Sequence, residues 1–357
     1  MVEYENGGYI QPKTSTFMQF STEWLENYVK PLRKISTYNR YKELINKYLQ
    51  TLGGIPIQNI TSYHIEQLLM SNKKNISGTT LQAVYTIINT IMERAFKLKV
   101  IKDNPCKYLE RPKRDKFTPD TLDVNEIQLI LNSLDLNNNF DYMFCIAFRV
   151  TIELGLRLGE LAGLEWCNIN FTDNLVTIKN NLIYSSGHVL MSTPKNAESC
   201  RTIYISSELL NTLKKLHIKQ NKNKLKYGEY SIKNIFDEKE YDFIFTWENG
   251  SRIHPMYYLN KLKKALITAN INKKLRFHDL RHTNATLLLS QGIDLKTIQT
   301  RLGHKDINTT LNIYSHVNKE MQKNATEKLN NILGGKAVAK WKHYAINIVF
   351  SMVRVSL

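Results

Sequence analysis

Between Thr16 and Leu109 the apolar residues recur at three- and four-residue steps with no alternating run, which commits nearly a hundred residues to packed helices and excludes a sheet there. Phe17, Phe20, Trp24, Leu25 and Tyr28 mark one buried helix face. Ser36-Thr37 opens a second run through Tyr38, Tyr41, Leu44, Ile45, Tyr48 and Leu49, which Gly53-Gly54 ends. Thr61-Ser62 starts a third with Ile65, Leu68 and Leu69, and Ser77-Gly78 precedes a fourth with Leu81, Val84, Ile87, Ile88, Ile91 and Phe96. The expectation is a four-helix domain over residues 14–110, behind a loose lead-in at 1–13 that holds Gly7, Gly8 and Pro12.

Arg111-Pro112-Lys113-Arg114-Asp115-Lys116 disfavours both a core and a continuous helix, so residues 111–121 read as a basic linker. A second domain is expected over 122–335. Asp123 with Glu126 three residues on is a helix start, and another helix covers Asp141 to Leu154. After Trp166 the period changes to alternation. Leu175–Ile178, Leu182–Tyr184 and Arg201–Ile205 read as short strands, Ser185-Ser186-Gly187 as a turn, and Asp242–Thr246 as a weak strand candidate. Helices return from Ser207, and most of 256–333 is helical. The fold class expected is therefore an all-α domain followed by a mixed α+β domain, mostly helical with a small antiparallel sheet.

Lys and Arg number 49 against 32 Asp and Glu, a net charge of +17. That surplus suits a polyanion, because each neutralised phosphate releases condensed counterions. The basic residues are spread through folded segments and form no amphipathic face, which fits nucleic acid better than a membrane surface. A Lys- and Asn-rich composition accounts for part of the surplus. Cys106, Cys145, Cys167 and Cys200 make no paired spacing, which argues against a disulfide framework and a cysteine zinc site. With no signal pattern and no bilayer-length apolar run, a cytoplasmic protein is expected.

The chemistry-bearing residues come late in the chain. Gly155-Leu156-Arg157-Leu158-Gly159-Glu160 is followed by Thr193-Pro194-Lys195, then His278-Asp279-Leu280-Arg281-His282, Leu302-Gly303-His304 and, ten residues further, Tyr314. Two arginines offer planar paired donors that grip a phosphate at any working pH. His278 and Arg281 share a helix face, and a histidine exchanges protons near neutrality. Tyr314 is a nucleophile if cations lower its pKa or a base takes its proton, and Lys195 can protonate a leaving oxygen. Together these describe phosphoryl transfer needing no metal and no cofactor. Each residue has a plainer reading. Arg157 can simply pair with Glu160, Lys179 competes with Lys195, and Tyr314 is one of 19 tyrosines. His282 is left outside the reaction, His316 has no assigned role, and Tyr257 and Tyr258 read as packing residues.

These same motifs, in this order, resemble the signature of the tyrosine recombinases, the phage-integrase family, over roughly residues 14–335. The resemblance implies that Arg157 and Arg281 clamp the scissile phosphate, that Tyr314 attacks it to leave a 3′-phosphotyrosyl link, and that Lys195 is the acid for the 5′ oxygen. His278 would be base or proton relay, and His304 a hydrogen-bond donor to the phosphate. It implies double-stranded attachment-site DNA as partner and a homotetramer on that DNA. A directionality factor and a host DNA-bending protein are further partners it suggests. Arg40, Lys113 and Arg114 are candidate DNA contacts. The short lead-in departs from integrases with an N-terminal arm-binding domain, of which it is a candidate remnant. The tail at 336–357, with Ala345–Phe350 apolar, is open between a packing segment exchanged with a neighbour, an aggregation-prone strand and sequence without function.

Three rival functions share some of the residues. His278 and His282 have the spacing of metal ligands on a helix, with His304 a third, as in a metal-dependent nuclease. Arg281 beside the cation and the lack of an acidic cluster speak against it. Thr286 to Gly303, broken at Gly292, reads as a helix-turn-helix of a non-catalytic regulator, which has no use for Arg157 and Tyr314 together. Type IB topoisomerase chemistry is the nearest mechanistic alternative.

Overall fold

A computed structural model describes residues 15–115, 119–185, 188–192, 200–303 and 326–331. The chain divides between Thr118 and Pro119 into two compact units, with Ser185–His188 grouped to the first. Each is described by itself.

In the first unit α1 runs through Phe17–Trp24, a π turn at Leu25–Val29, and Lys30–Leu32. Pro31 accounts for the π turn. It has no N–H to continue the ladder, and the helix shifts register just before it, Lys30 N–H reaching back five residues to Leu25 O. Helix α2 covers Ile35–Tyr48 with an added turn at Gln50–Gly53. Helix α3 covers Ser62–Lys73 under a Thr61 cap, and α4 covers Gly78–Lys97 under a Ser77 cap. Helix α4 buries Leu81, Val84, Ile87, Ile88, Ile91 and Ala95, too broad an apolar face for a surface helix, and so forms the centre of the core. Trp24 of α1 stacks on Tyr41 of α2 with ring centroids 5.6 Å apart. The four expected helices are present. Residues 111–115 form no helix or strand and are held to α4: Gln82 Nε2 donates to Pro112 O at 2.7 Å, and Thr79 N–H to Asp115 Oδ2 at 3.2 Å.

The second unit starts with α5, Val124–Asn132, whose Asp123 and Glu126 bond each other's backbone N–H at 2.9 Å as a capping box. Helix α6, Asn139–Leu154, is the buried axis, with Phe144, Ala147, Phe148, Val150 and Leu154 fully enclosed. Short α7, Leu158–Ala162, leads to strands β1 (Ile169–Asn170), β2 (Leu175–Ile178), β3 (Asn181–Ser185), β4 (His188–Ser192) and β5 (Arg201–Tyr204). Strands β1, β2 and β5 form an antiparallel sheet in that order, with Val176 opposite Ile203 and Ile178 opposite Arg201. Strand β3 pairs with β4. Helix α8, Ser207–Tyr227, is followed by a hairpin of β6 (Asn234–Phe236) and β7 (Lys239–Tyr241). Helices α9 (Pro255–Thr268), α10 (Asp279–Ser290) and α11 (Leu295–Leu302) follow.

The expected fold class is the one found. Three local expectations need revision or lie beyond view. Asp242–Thr246 is no strand; it makes single bridges, Glu165 with Phe243 and Thr246 with Arg252. The β6–β7 hairpin went unread because its turn, Asp237-Glu238 at φ +48° and +63°, lacks the Asn-Gly or Asp-Gly signal such turns usually carry. Ser186 and Gly187 of the expected turn, and residues 304–325 of the expected helical stretch, lie outside the described residues. Tyr258 is fully buried and Tyr257 donates its hydroxyl to Phe140 O, so both pack as read.

Candidate active site

Gly155 ends α6 in the left-handed conformation, at φ +62°. A Cβ there would lie 2.3 Å from Leu302 Cδ2 and 3.0 Å from Asn284 Oδ1, so only glycine lets α6 close against α10 and α11. Two residues on, Arg157 heads α7. Glu160, one turn later, accepts from the Arg157 N–H at 3.0 Å and from Arg157 Nη1 at 2.6 Å. The plain reading of Arg157 as partner of Glu160 is therefore correct as geometry, and it is part of something larger.

Glu160 is 3 % exposed and gathers three guanidinium groups. Arg201, on the inward face of β5, donates Nη1 to Oε1 at 3.2 Å and Nη2 to Oε2 at 2.9 Å. Arg281, from α10, stands 3.9 Å from Oε2. Each arginine also caps a different carbonyl of the last turn of α11: Arg201 Nε on Arg301 O at 2.7 Å, Arg281 Nη2 on Leu302 O, and Arg157 Nη2 on Gly303 O at 3.3 Å. Arg281 further donates to Gly155 O at 2.7 Å. Helix ends leave such carbonyls without partners and carry partial negative charge, so cations belong there.

Charge and burial set the proton affinities. Burial alone would raise the Glu160 carboxyl, but the Arg201 bonds and the charges of Arg201 and Arg157 hold it down at about 2. His278, one turn before Arg281, has its pKa lowered to about 4 by the protein packed around it and by the charges of His282 and Arg281. The residue as a whole stays exposed, so solvent screens part of that effect. Its ring meets that of His282 edge to face, with centroids 5.3 Å apart. A neutral imidazole beside two arginines is equipped to accept a proton next to a bound anion. Behind it Asp279 is fully buried and held by Arg276 at 2.7 and 3.0 Å, which fixes the start of α10.

Arg157, Arg281 and His278 are thus brought together from stretches more than a hundred residues apart in sequence. Lys195, His304 and Tyr314 lie outside the described residues. Arg157 keeps 35 % of its side chain exposed, whereas Arg281 keeps 1 %. Arg40, Lys113 and Arg114 are exposed on the first unit; Arg40 pairs with Glu43 at 3.1 Å and Arg114 bonds Gln82. Arg201 was not among the sequence candidates. Its signal was an arginine in phase with Ile203 on an alternating strand, hence aimed into the core and in need of a partner. Among the described residues no group of three or more His, Cys, Asp or Glu is placed to hold a metal, and no helix is long and apolar enough to cross a membrane.

Comparison with known proteins gives the family of the fold. The phage integrase family model matches residues 120–321, and the N-terminal SAM-like domain of phage integrases matches 16–73. A tyrosine recombinase XerC-like protein of Caldanaerobacter subterraneus subsp. tengcongensis is 30 % identical, over 92 % of this chain and 86 % of its own length. The integrase of Staphylococcus phage L54a is 26 % identical, over 90 % of this chain and 94 % of its own. Among solved structures, the Tn1549 transposon integrase in complex with a circular intermediate DNA superposes with a TM-score of 0.73 at 20 % identity, covering 88 % of this chain and 99 % of that one. A lambda integrase tetramer bound to a Holliday junction gives 0.63 at 15 % identity, covering 87 % and 83 %. With its arginine cluster built on the family's fold and the family model spanning more than half its length, the chain belongs to the phage integrase family of tyrosine recombinases, enzymes that break and rejoin DNA strands.

Proposed function

We propose that this protein is the integrase of a mobile element, exchanging strands between double-stranded attachment sites through a covalent bond to Tyr314. The observation that carries the reading is the convergence of Arg157, Arg281 and neutral His278 in the stretch that matches the family. A phosphodiester entering here meets Arg157 first, the arginine that faces solvent. Arg281 exchanges a carbonyl bond for a phosphate oxygen, and the two stabilise charge as it builds on phosphorus. The Tyr314 phenol loses its proton toward His278 and its oxygen attacks phosphorus; the bond to the 5′ oxygen breaks, and Lys195 protonates that oxygen. His304 donates a hydrogen bond to the phosphate. The phosphotyrosine conserves the ester's energy, so a 5′-hydroxyl of a partner strand reverses the step without ATP or a metal.

The relatives support the finer roles as well. The lambda integrase structure named above is a tetramer bound to a Holliday junction, and the Tn1549 transposon integrase is in complex with a circular intermediate DNA. Four protomers on two sites, with a directionality factor and a host DNA-bending protein, form the corresponding assembly here. Arg40, Lys113 and Arg114 contact the backbone of the duplex, where they position the protein without reading sequence.

A nicked suicide substrate carrying the cognate site tests the reading. With a chelator in excess, the wild-type protein is expected to form a covalent protein–DNA band that Tyr314→Phe abolishes. No band on the cognate site, or a band that survives in Tyr314→Phe, would sink it.

A further inference from the structure

Resting on that reading, the geometry points to Arg201 as a positioning residue: it is the permanent counter-ion of Glu160, and by holding that carboxylate it releases Arg157 for the phosphate. Three guanidinium groups share one carboxylate, and they are not equivalent. Arg201 is 5 % exposed in its side chain, bonds both Glu160 oxygens, and also donates to Arg301 O. Arg157 bonds Oε1 alone through its side chain and is 35 % exposed. Arg281 is farther away, at 3.9 Å.

The energetic consequence follows from burial. A carboxylate as enclosed as Glu160 cannot be left without a cation, because breaking a buried pair strands an uncompensated charge. Were Arg157 its main partner, moving Arg157 onto a phosphate would carry that penalty in every catalytic cycle. With Arg201 in place the carboxylate stays compensated and Arg157 exchanges one anion for another. Without Arg201, Glu160 would claim Arg157, and draw on Arg281, at the moment both are needed elsewhere. Arg201 touches no reacting atom in this scheme and acts entirely through Glu160.

The test compares Arg201→Met, Arg201→Lys and the double change Glu160→Gln with Arg201→Met, all in the full chain on the suicide substrate. Covalent-complex formation is measured in single turnover at saturating DNA, with DNA affinity measured separately. Arg201→Met is expected to slow the covalent step at least roughly tenfold, as loss of part of a preorganised charge cradle does, while affinity changes far less. Arg201→Lys restores part of the rate, since it keeps the charge and loses the planar fork. The decisive arm is the double variant. With no carboxylate left to capture Arg157, it is expected to react faster than Arg201→Met alone, and a neutral buried pair is also tolerated by the fold. A wild-type rate in Arg201→Met, or a double variant as slow as or slower than Arg201→Met, overturns the proposal. The latter outcome would be the mark of a merely structural arginine. Failure of the wild-type protein to form the covalent complex counts against the recombinase reading instead, and so separates the two.

Discussion

Glu160 and His278 tie the stability of the site to pH in the same direction. The Glu160 carboxyl is depressed from 4.5 to about 2 in the fold, so its contribution is complete above pH 4.5 and is lost as pH falls toward about 2. A shift of that size corresponds to roughly 3 kcal/mol for a group this buried. His278 is depressed from 6.5 to about 4, so protonating it also favours the unfolded chain, in the window from 6.5 down to about 4. Urea midpoints at a series of pH values check the first part: the wild-type midpoint should fall between about pH 4.5 and 2 more steeply than that of Glu160→Gln. Parallel curves for the two proteins would show that Glu160 ionisation is not linked to folding. In the free protein the imidazole resonances of His278 should titrate below 6.5, which keeps it in the proton-accepting form at neutral pH.

At the scale of elements, the site is a junction where α6 ends, α7 begins and α11 ends, and Gly155 makes that junction pass. Gly155→Ala combines a left-handed backbone strain with a methyl pushed against Leu302 and Asn284. The expected cost is roughly 2–5 kcal/mol, read as a lowered urea midpoint. A change within about 0.5 kcal/mol would mean that the contact is not closed in solution. This junction also marks how far the sequence could be read. The helices of the first unit followed from period and caps, because Thr61 and Ser77 bond the N–H groups their positions suggest, as Asp123 does where the second unit starts. Motif order named Arg157, His278 and Arg281, which packing brings together. What spacing could not supply was the shared carboxylate, because Glu160 meets Arg201 and Arg281 only through tertiary packing across 41 and 121 residues. Nor could it supply the capping of Arg301, Leu302 and Gly303 carbonyls by three arginines from separate elements. The β6–β7 hairpin was missed for a local reason: Glu238, at φ +63°, stands where glycine usually signals such a turn.

For the whole molecule the governing quantity is the net charge of +17. The inner cluster sets three guanidinium groups against one carboxylate and so stays net positive, but of the three only Arg157 is appreciably exposed. Exposed cations add to that charge, and Lys113 and Arg114 sit on the segment that α4 holds through Pro112 O and the Arg114 side chain. Each phosphate neutralised steepens the dependence of log Kd on log salt by about 0.9. If Lys113 and Arg114 each meet one phosphate, changing both to glutamine should lower the slope by about 2 between roughly 50 and 200 mM salt. The weakening should be of similar size on cognate and unrelated duplexes, because phosphate contacts carry no base information. An unchanged slope would remove both residues from the DNA interface. A loss confined to the cognate site would place them in a groove, reading bases.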